Sequence, residues 1–261
     1  MDREAQPPGQ ERDERRTASR PGVSMTGLDP ELLLRAYAIG VFPMSDSRDA
    51  ESVFWVEPKR RAILPLDSFH LSRSLRKILR SDAFTVTRDR VFDRIVGLCA
   101  ARSETWINGE IEAAYGRLHR AGCAHSIEVW DGGELAGGLY GVRLGGAFFG
   151  ESMVSLRPNA SKVALAWLVA RLRAGGFRLL DCQFMTPHLA SLGAVEIDQA
   201  DYLALLDSAL GARAGAGGAG GAEPAEFDVL DRLLDAAEAD GGAAGVPPAG
   251  WVISQLIGQT S

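Results

Sequence analysis

Hydrophobic and polar positions alternate along this chain with two different periods, and the switches between them mark the elements. Ala147-Phe148-Phe149-Gly150-Glu151-Ser152-Met153 reads as a strand. A helical pattern follows from about Ser161 to Ala174 and stops at Gly175-Gly176, and Phe177-Arg178-Leu179-Leu180-Asp181-Cys182-Gln183 reads as a second strand. A period of two puts Asp181 and Gln183 on one face of that strand and Cys182 on the other. A Glu, an Asp and a Gln gathered at strand ends make a candidate polar site, around which the remaining elements build walls.

Before this unit, Asp29 is placed to cap a helix whose first turn holds Pro30 and whose apolar face is Leu32, Leu33, Leu34, Ala36 and Tyr37, ending near Gly40. Val41 to Met44 leaves as an extended turn, because Pro43 biases Phe42 away from helix. Short strands are expected at Val53–Val56, Arg61–Leu66 and Phe84–Thr87, with helices at Ser72–Arg80, Phe92–Ala101 and Glu110–Ala121. Ser126–Trp130 and Glu134–Leu144, joined by Asp131-Gly132-Gly133 and followed by Gly145-Gly146, form an antiparallel meander leading into the Glu151 strand. Past Gln183 come a short helix over His188–Ala194 and a last core helix over Asp201–Leu210.

The ends read differently. Residues 1–24 lack apolar periodicity and are expected to be disordered, and Gly211–Ala222 is a Gly/Ala-rich linker. An acidic amphipathic helix is expected over Phe227–Ala239, and the tail Trp251–Ile257 either docks on the core or meets a partner. The expected class is α+β, with a small N-terminal α/β domain at 25–66, a mixed-sheet domain at 67–210 and flexible terminal extensions at 1–24 and 211–261.

Composition changes this picture in two places. With 46% hydrophobic residues and a formal net charge of -6, the chain is globular and as a whole no polyanion binder. Yet Lys59 to Arg94 is locally basic, a stretch that either steers a nucleic acid or forms a solvated helix face. The cysteines at 99, 123 and 182 show no ligand spacing, and neither do His70, His119, His125 and His188, so reduced thiols and no metal site are expected. No apolar run reaches the roughly 20 residues of a membrane span, and the N-terminus does not read as a signal peptide. The expectation is a cytoplasmic protein with no membrane association, and nothing demands more than a monomer.

Several short strings in fixed order are more specific: Gly40-Val41-Phe42-Pro43, Phe69-His70-Leu71-Ser72-Arg73-Ser74, Thr105-Trp106-Ile107, His125–Trp130, Gly137–Val142, Gly150-Glu151-Ser152-Met153, Asn159–Lys162 and Asp181-Cys182-Gln183. Together, over about Leu32 to Leu206, they resemble leucyl/phenylalanyl-tRNA–protein transferases. The resemblance implies transfer of Leu or Phe from Leu-tRNA or Phe-tRNA to proteins with N-terminal Arg or Lys, marking them for proteolysis, with no cofactor. It also implies an N-acetyltransferase-like larger domain. By the same resemblance Glu151, Asp181 and Gln183 form the reaction centre, and Tyr115, Leu139, Phe148, Leu165, Leu168 and Leu180 line the pocket for the transferred side chain. Trp106 lies near the tRNA 3′ adenosine, and Met44 stands where related enzymes often carry Trp.

The reaction is aminolysis of an activated ester. A free α-amino group has a pKa of about 7.7–8.0, so the site needs positioning, a proton sink and help for the oxyanion rather than a strong base. The expectation is that Asp181 and Gln183 orient the amine, with Asp181 or the leaving ribose taking its proton and Glu151 holding charge near the incoming Arg or Lys. A Leu-lined slot separates methylenes by only about 1–3 kcal/mol, so Met is a further donor. Arg73, Arg76, Lys77, Arg80 and Lys162 are candidates for tRNA phosphates. Two other readings stand beside this one. An acyl-CoA-dependent N-acyltransferase would want a glycine in the loop before the central helix, where Arg157-Pro158-Asn159-Ala160-Ser161-Lys162 has none. A non-catalytic RNA- or peptide-binding module would leave Glu151, Asp181 and Gln183 without work.

Overall fold

The computed structural model describes residues 28–81, 83–211, 225–240 and 249–258, so the expected disorder at 1–24 and nearly all of the Gly/Ala-rich linker lie outside the described residues. Helix α1 (Pro30–Ala38) begins as its cap dictates: the Asp29 side chain accepts from the Glu31 N–H, and Pro30 sits in the first turn. Its buried face is Leu33, Ala36 and Tyr37, while Leu32, expected on that face, is exposed. Strand β1 (Phe42–Met44) then pairs antiparallel with β2 (Phe54–Val56) in a sheet of their own.

The main sheet takes β3 (Arg60–Ile63) from the stretch assigned by sequence to the N-terminal unit. The chain continues through basic α2 (Arg73–Arg80), capped by Ser72, then β4 (Thr85–Arg88), α3 (Phe92–Ala100) and α4 (Gly109–Arg120). The glycine-turned meander is β5 (Ala124–Asp131), β6 (Glu134–Leu144) and β7 (Ala147–Ser155), and α5 (Ala160–Ala174) crosses over to β8 (Leu179–Gln183). After α6 (Pro187–Ala190) comes β9 (Val195–Asp198), then α7 (Gln199–Leu210), α8 (Val229–Asp240) and α9 (Ala249–Leu256). Strand β9 was not expected. The helix placed over His188–Ala194 ends early, and Gly193, at φ +97°, turns the chain into a strand held by β3 rather than by its own weak pattern.

The seven-stranded order is β4-β5-β6-β7-β8-β3-β9, with every neighbouring pair antiparallel except β7 and β8. Parallel neighbours need a crossover, which α5 supplies. The result is the expected mixed α+β architecture. Helices α1, α3, α4 and α7 cover one face of the sheet, and α2, α5, α8 and α9 cover the other. Helix α5 is buried from Val163 through Leu172, as befits a helix apolar on nearly every side.

The C-terminal segment docks on the core. Phe227, just before α8, stacks on His125 and Phe148 with centroids 4.2 and 5.5 Å away, and meets Phe177 edge-on. Asp231 binds both Arg88 and the nearly unexposed Arg171, and Ile253 of α9 and Ile257 just after it are buried where α9 packs on α2 and α5. Phe227→Ala should therefore lower unfolding stability by about 3–5 kcal/mol, read as a reduced urea midpoint.

Candidate functional site

Strands β7 and β8 pair only at Ala147–Leu179, Phe148–Leu180 and Phe149–Asp181, although both continue beyond that point. Where they part, a cavity of about 530 Å³ opens. Leu139, Met153, Leu165, Leu168, Leu180 and Leu189 supply its apolar lining. Glu151, Gln183, Ser161, Arg102 and His188 supply polar groups, and Phe42, Met44, Trp106 and Phe184 complete the wall.

Glu151 owes its direction to a β-bulge. Tyr140 pairs with Ser152 and Gly141 with Gly150, so Glu151 is the unpaired extra residue. Glu151 and Ser152 consequently both reach partners on the α1/α3/α4 side: Glu151 meets Tyr37 and Tyr115, and Ser152 Oγ accepts from Arg102 at 3.0 Å. Gly141 is required opposite the bulge, because a Cβ there would lie 2.3 Å from the Phe149 carbonyl oxygen.

Around the Glu151 carboxyl, Tyr37 OH donates to Oε1 at 2.7 Å, Tyr115 OH donates to Oε2 at 2.8 Å, and Gln183 Nε2 donates to Oε1 at 3.3 Å. The two phenol oxygens are 2.7 Å apart. Glu151 is only 9% exposed, and burial pushes its carboxyl up to about 7 against the opposing pull of the two phenol donors.

Asp181 shares a strand face with Gln183, as the alternation requires, but it does not line the cavity. It is wholly buried, with Arg61 Nε at 2.9 Å from Oδ1 and Arg61 Nη2 at 2.6 Å from Oδ2. Tyr202 OH and the Gln183 N–H each donate to it at 2.8 Å. Arg61 in turn donates to the Gly40 carbonyl at 3.0 Å and lies between the rings of Phe42 and Tyr202, 4.6 and 4.5 Å from their centroids. A carboxylate so occupied has no free lone pair toward the cavity, where the expectation had either Asp181 or the leaving ribose taking the proton. Its evident work is to hold Gln183, whose backbone sits at φ +56°, a left-handed value uncommon for a residue with a side chain.

The other expected site residues divide. Leu139, Leu165, Leu168 and Leu180 line the cavity, as do Met44 and Trp106. Tyr115 and Phe148 are fully buried outside the lining, Tyr115 behind Glu151 and Phe148 in the core against Phe227. Arg73, Arg76, Lys77 and Arg80 share a separate exposed patch on α2, with no carboxylate partner among the described residues. Lys162 is half-buried on the first turn of α5, next to the lining residue Ser161. The basic run thins on folding, because Arg60 pairs with Glu196 and Asp198, Arg61 with Asp181, and Arg88 with Asp231. Sequence reasoning missed Tyr37, Arg61, Tyr202 and Arg102 as site residues. A tyrosine in an apolar helical stripe looks like a core residue until its hydroxyl's partner is known. Among the described residues no group of three or more His, Cys, Asp or Glu is arranged to hold a metal, and no helix is long and apolar enough to cross a membrane.

The family model for leucyl/phenylalanyl-tRNA protein transferase matches residues 63–207, and the model of that family's N-terminal domain matches residues 27–59. A relative of that name from Rhizorhabdus wittichii is 62% identical over 250 residues, covering 91% of this chain and 100% of its own. Another from Zymomonas mobilis is 64% identical over 187 residues, covering 70% of each chain. Among solved structures, L-PGS from Bacillus licheniformis is similar at a TM-score of 0.36 and 13% identity, over 63% of this chain and 56% of its own.

The buried carboxyl makes stability depend on pH. Folding raises Glu151 from 4.5 to about 7, so the folded chain binds this proton more tightly than the unfolded one. The stability it contributes is complete below the lower value and is lost as pH rises through the upper one, a fall of about 3 kcal/mol. Glu151→Gln cannot ionise and should flatten that part of the profile, measured by urea unfolding at stepped pH. An unchanged decline in the variant would assign it to other groups.

Proposed function

The chain belongs to the leucyl/phenylalanyl-tRNA protein transferase family, and we propose that the cavity between β7 and β8 takes the aminoacyl group of Leu-tRNA or Phe-tRNA for transfer to proteins beginning with Arg or Lys. One observation carries this reading: a leucine-lined wall meets Glu151 and Gln183 in a single cavity. An apolar wall suits a large apolar side chain, and the polar groups beside it suit the ester and the attacking amine.

In this reading Leu139, Leu165, Leu168 and Leu180 contact the transferred side chain, with Met as a further donor. Tyr115 and Phe148 support that wall from behind. The acceptor's α-amine attacks the ester carbonyl, the C–N bond forms, and the bond to the ribose oxygen breaks. Gln183, its Nε2 already donating to Glu151, orients the amine by accepting one of its N–H groups on the amide oxygen, and Asp181 acts through Gln183 by fixing its backbone. Trp106 offers its ring to the terminal adenine and Met44 packs beside it. Arg73, Arg76, Lys77 and Arg80 meet acceptor-stem phosphates, with Lys162 closer to the 3′ end. The modified protein is thereby marked for proteolysis, and the enzyme works as a monomer in the cytoplasm.

With Leu-tRNA and a peptide beginning with Arg, leucine should appear on the peptide, and Gln183→Ala should lower kcat/KM by about a hundredfold or more. Acetyl transfer from acetyl-CoA without leucine transfer would replace this reading with the acyl-CoA one. Neutralising Arg76 and Lys77 together, each to Gln, should weaken tRNA binding and reduce the slope of log affinity against log salt by about 1.4–1.8. An unaltered slope would remove α2 from the tRNA contact.

A further inference from the structure

Four oxygen atoms, two of phenols and two of one carboxyl, close a ring of three hydrogen-bond edges behind the cavity wall. Tyr37 Oη lies 2.7 Å from Glu151 Oε1, Tyr115 Oη lies 2.8 Å from Glu151 Oε2, and the two phenol oxygens are 2.7 Å apart. Each edge is an O–H···O distance and needs one proton between its oxygens. Each phenol brings one, and burial raises both phenols well above their ordinary value, so both keep it. With Glu151 ionised, the ring has two protons for three edges, and one pair of oxygens meets lone pair to lone pair. With Glu151 protonated, all three edges are filled. Gln183 Nε2 reaches Oε1, which favours Oε1 as the carbonyl oxygen and Oε2 as the protonated one. When Glu151 is charged, the ring is one proton short.

Resting on the transfer reaction above, we propose that this ring takes the proton of the acceptor's α-ammonium group. An N–H bond breaks and an O–H bond forms on Glu151. The ammonium becomes the neutral, nucleophilic amine, and the carboxylate becomes the acid that completes the ring. A positive and a negative charge disappear together, which suits a site shielded from water. After attack, a second amine proton goes to the departing ribose oxygen. Glu151 returns its own proton to solvent once the product leaves.

Glu151 lines the cavity and is the catalytic group, while Tyr37 and Tyr115 are positioning residues that set its appetite for a proton. The groups around it are Tyr37 from α1, Tyr115 from α4, Tyr140 from β6, Arg102 beside Ser152, Asp181 from β8 and Arg61 from β3. Asp181 pushes its proton affinity up and Arg61 pulls it down. Asp181 itself is spoken for by Arg61, Tyr202 and the Gln183 N–H, so it does not compete for the proton.

The test reads the carboxyl directly. At about pH 8, where Glu151 is mostly charged, infrared difference spectra are recorded on adding a peptide that begins with Arg. A protonated-carboxyl band should appear, be absent in Glu151→Gln, and fail to form with the same peptide trimethylated on its α-nitrogen, which has no proton to give. Peptide binding without that band, measured calorimetrically, would overturn the ring while leaving the transfer reaction standing. A peptide that does not bind at all would overturn both. In Tyr37→Phe or Tyr115→Phe one of the two phenol donors that oppose protonation of Glu151 is gone, so the carboxyl should already hold its proton at this pH and adding the peptide should bring no new band. Their kcat/KM for leucine transfer should be about tenfold low at pH 7 and level with the parent near pH 9, where the amine is already neutral. A loss equal at both pH values would reduce the tyrosines to structural supports.

Discussion

A buried guanidinium and a buried carboxylate, Arg61 and Asp181, hold the site in place. Neither touches solvent to any useful extent, and taking two charges out of water is unfavourable unless every donor and lone pair is matched. Here each guanidinium nitrogen and each carboxylate oxygen has a partner. Arg61 spreads its donors over Asp181 and the Gly40 carbonyl and has aromatic rings on both sides, and Asp181 completes its set with Tyr202 and the Gln183 N–H. The pair thereby ties four parts of the chain together: the turn after α1, the inserted strand β3, the end of β8 and helix α7. The left-handed backbone of Gln183 is the local expression of that network, and it decides where the amide points.

The cavity depends on two departures from regular pairing in one sheet. Strands β7 and β8 stop pairing after Phe149 and Asp181, which opens the space, and the bulge at Glu151 turns an acid toward the tyrosines of α1 and α4. Regular pairing throughout would have closed the first and re-aimed the second. Helix α5, buried along most of its length, then supplies Leu165 and Leu168 as the opposite wall. Packing sets the shape of the site, and the bulge sets its chemistry.

Charge is distributed by the same logic. Of the basic run, Arg60, Arg61 and Arg88 pair with carboxylates, while Arg73, Arg76, Lys77 and Arg80 leave an exposed basic patch on α2 of an acidic chain. Part of that pairing comes from the C-terminal segment: Asp231 draws in Arg88 and Arg171, while Arg80 donates to the Ser254 hydroxyl. Residues beyond the family match therefore share in both the core and the surface field.

Much of the fold was legible in the sequence because its causes are local. The cap at Asp29, the glycine turns of the meander, and the strand–helix–strand unit from Ala147 to Gln183 each depend on residues a few positions apart. So does the shared face of Asp181 and Gln183. Tertiary structure alone decided the rest. Val195–Asp198 became a strand because β3 was there to pair with it, and Arg61 left the basic run because Asp181, 120 residues away, was waiting without water. Tyr37 reads as one more apolar position on α1 until it meets Glu151 across 114 residues of chain. Periodicity records which face a side chain takes, but a buried polar atom is satisfied only by whatever packing brings within about 3 Å.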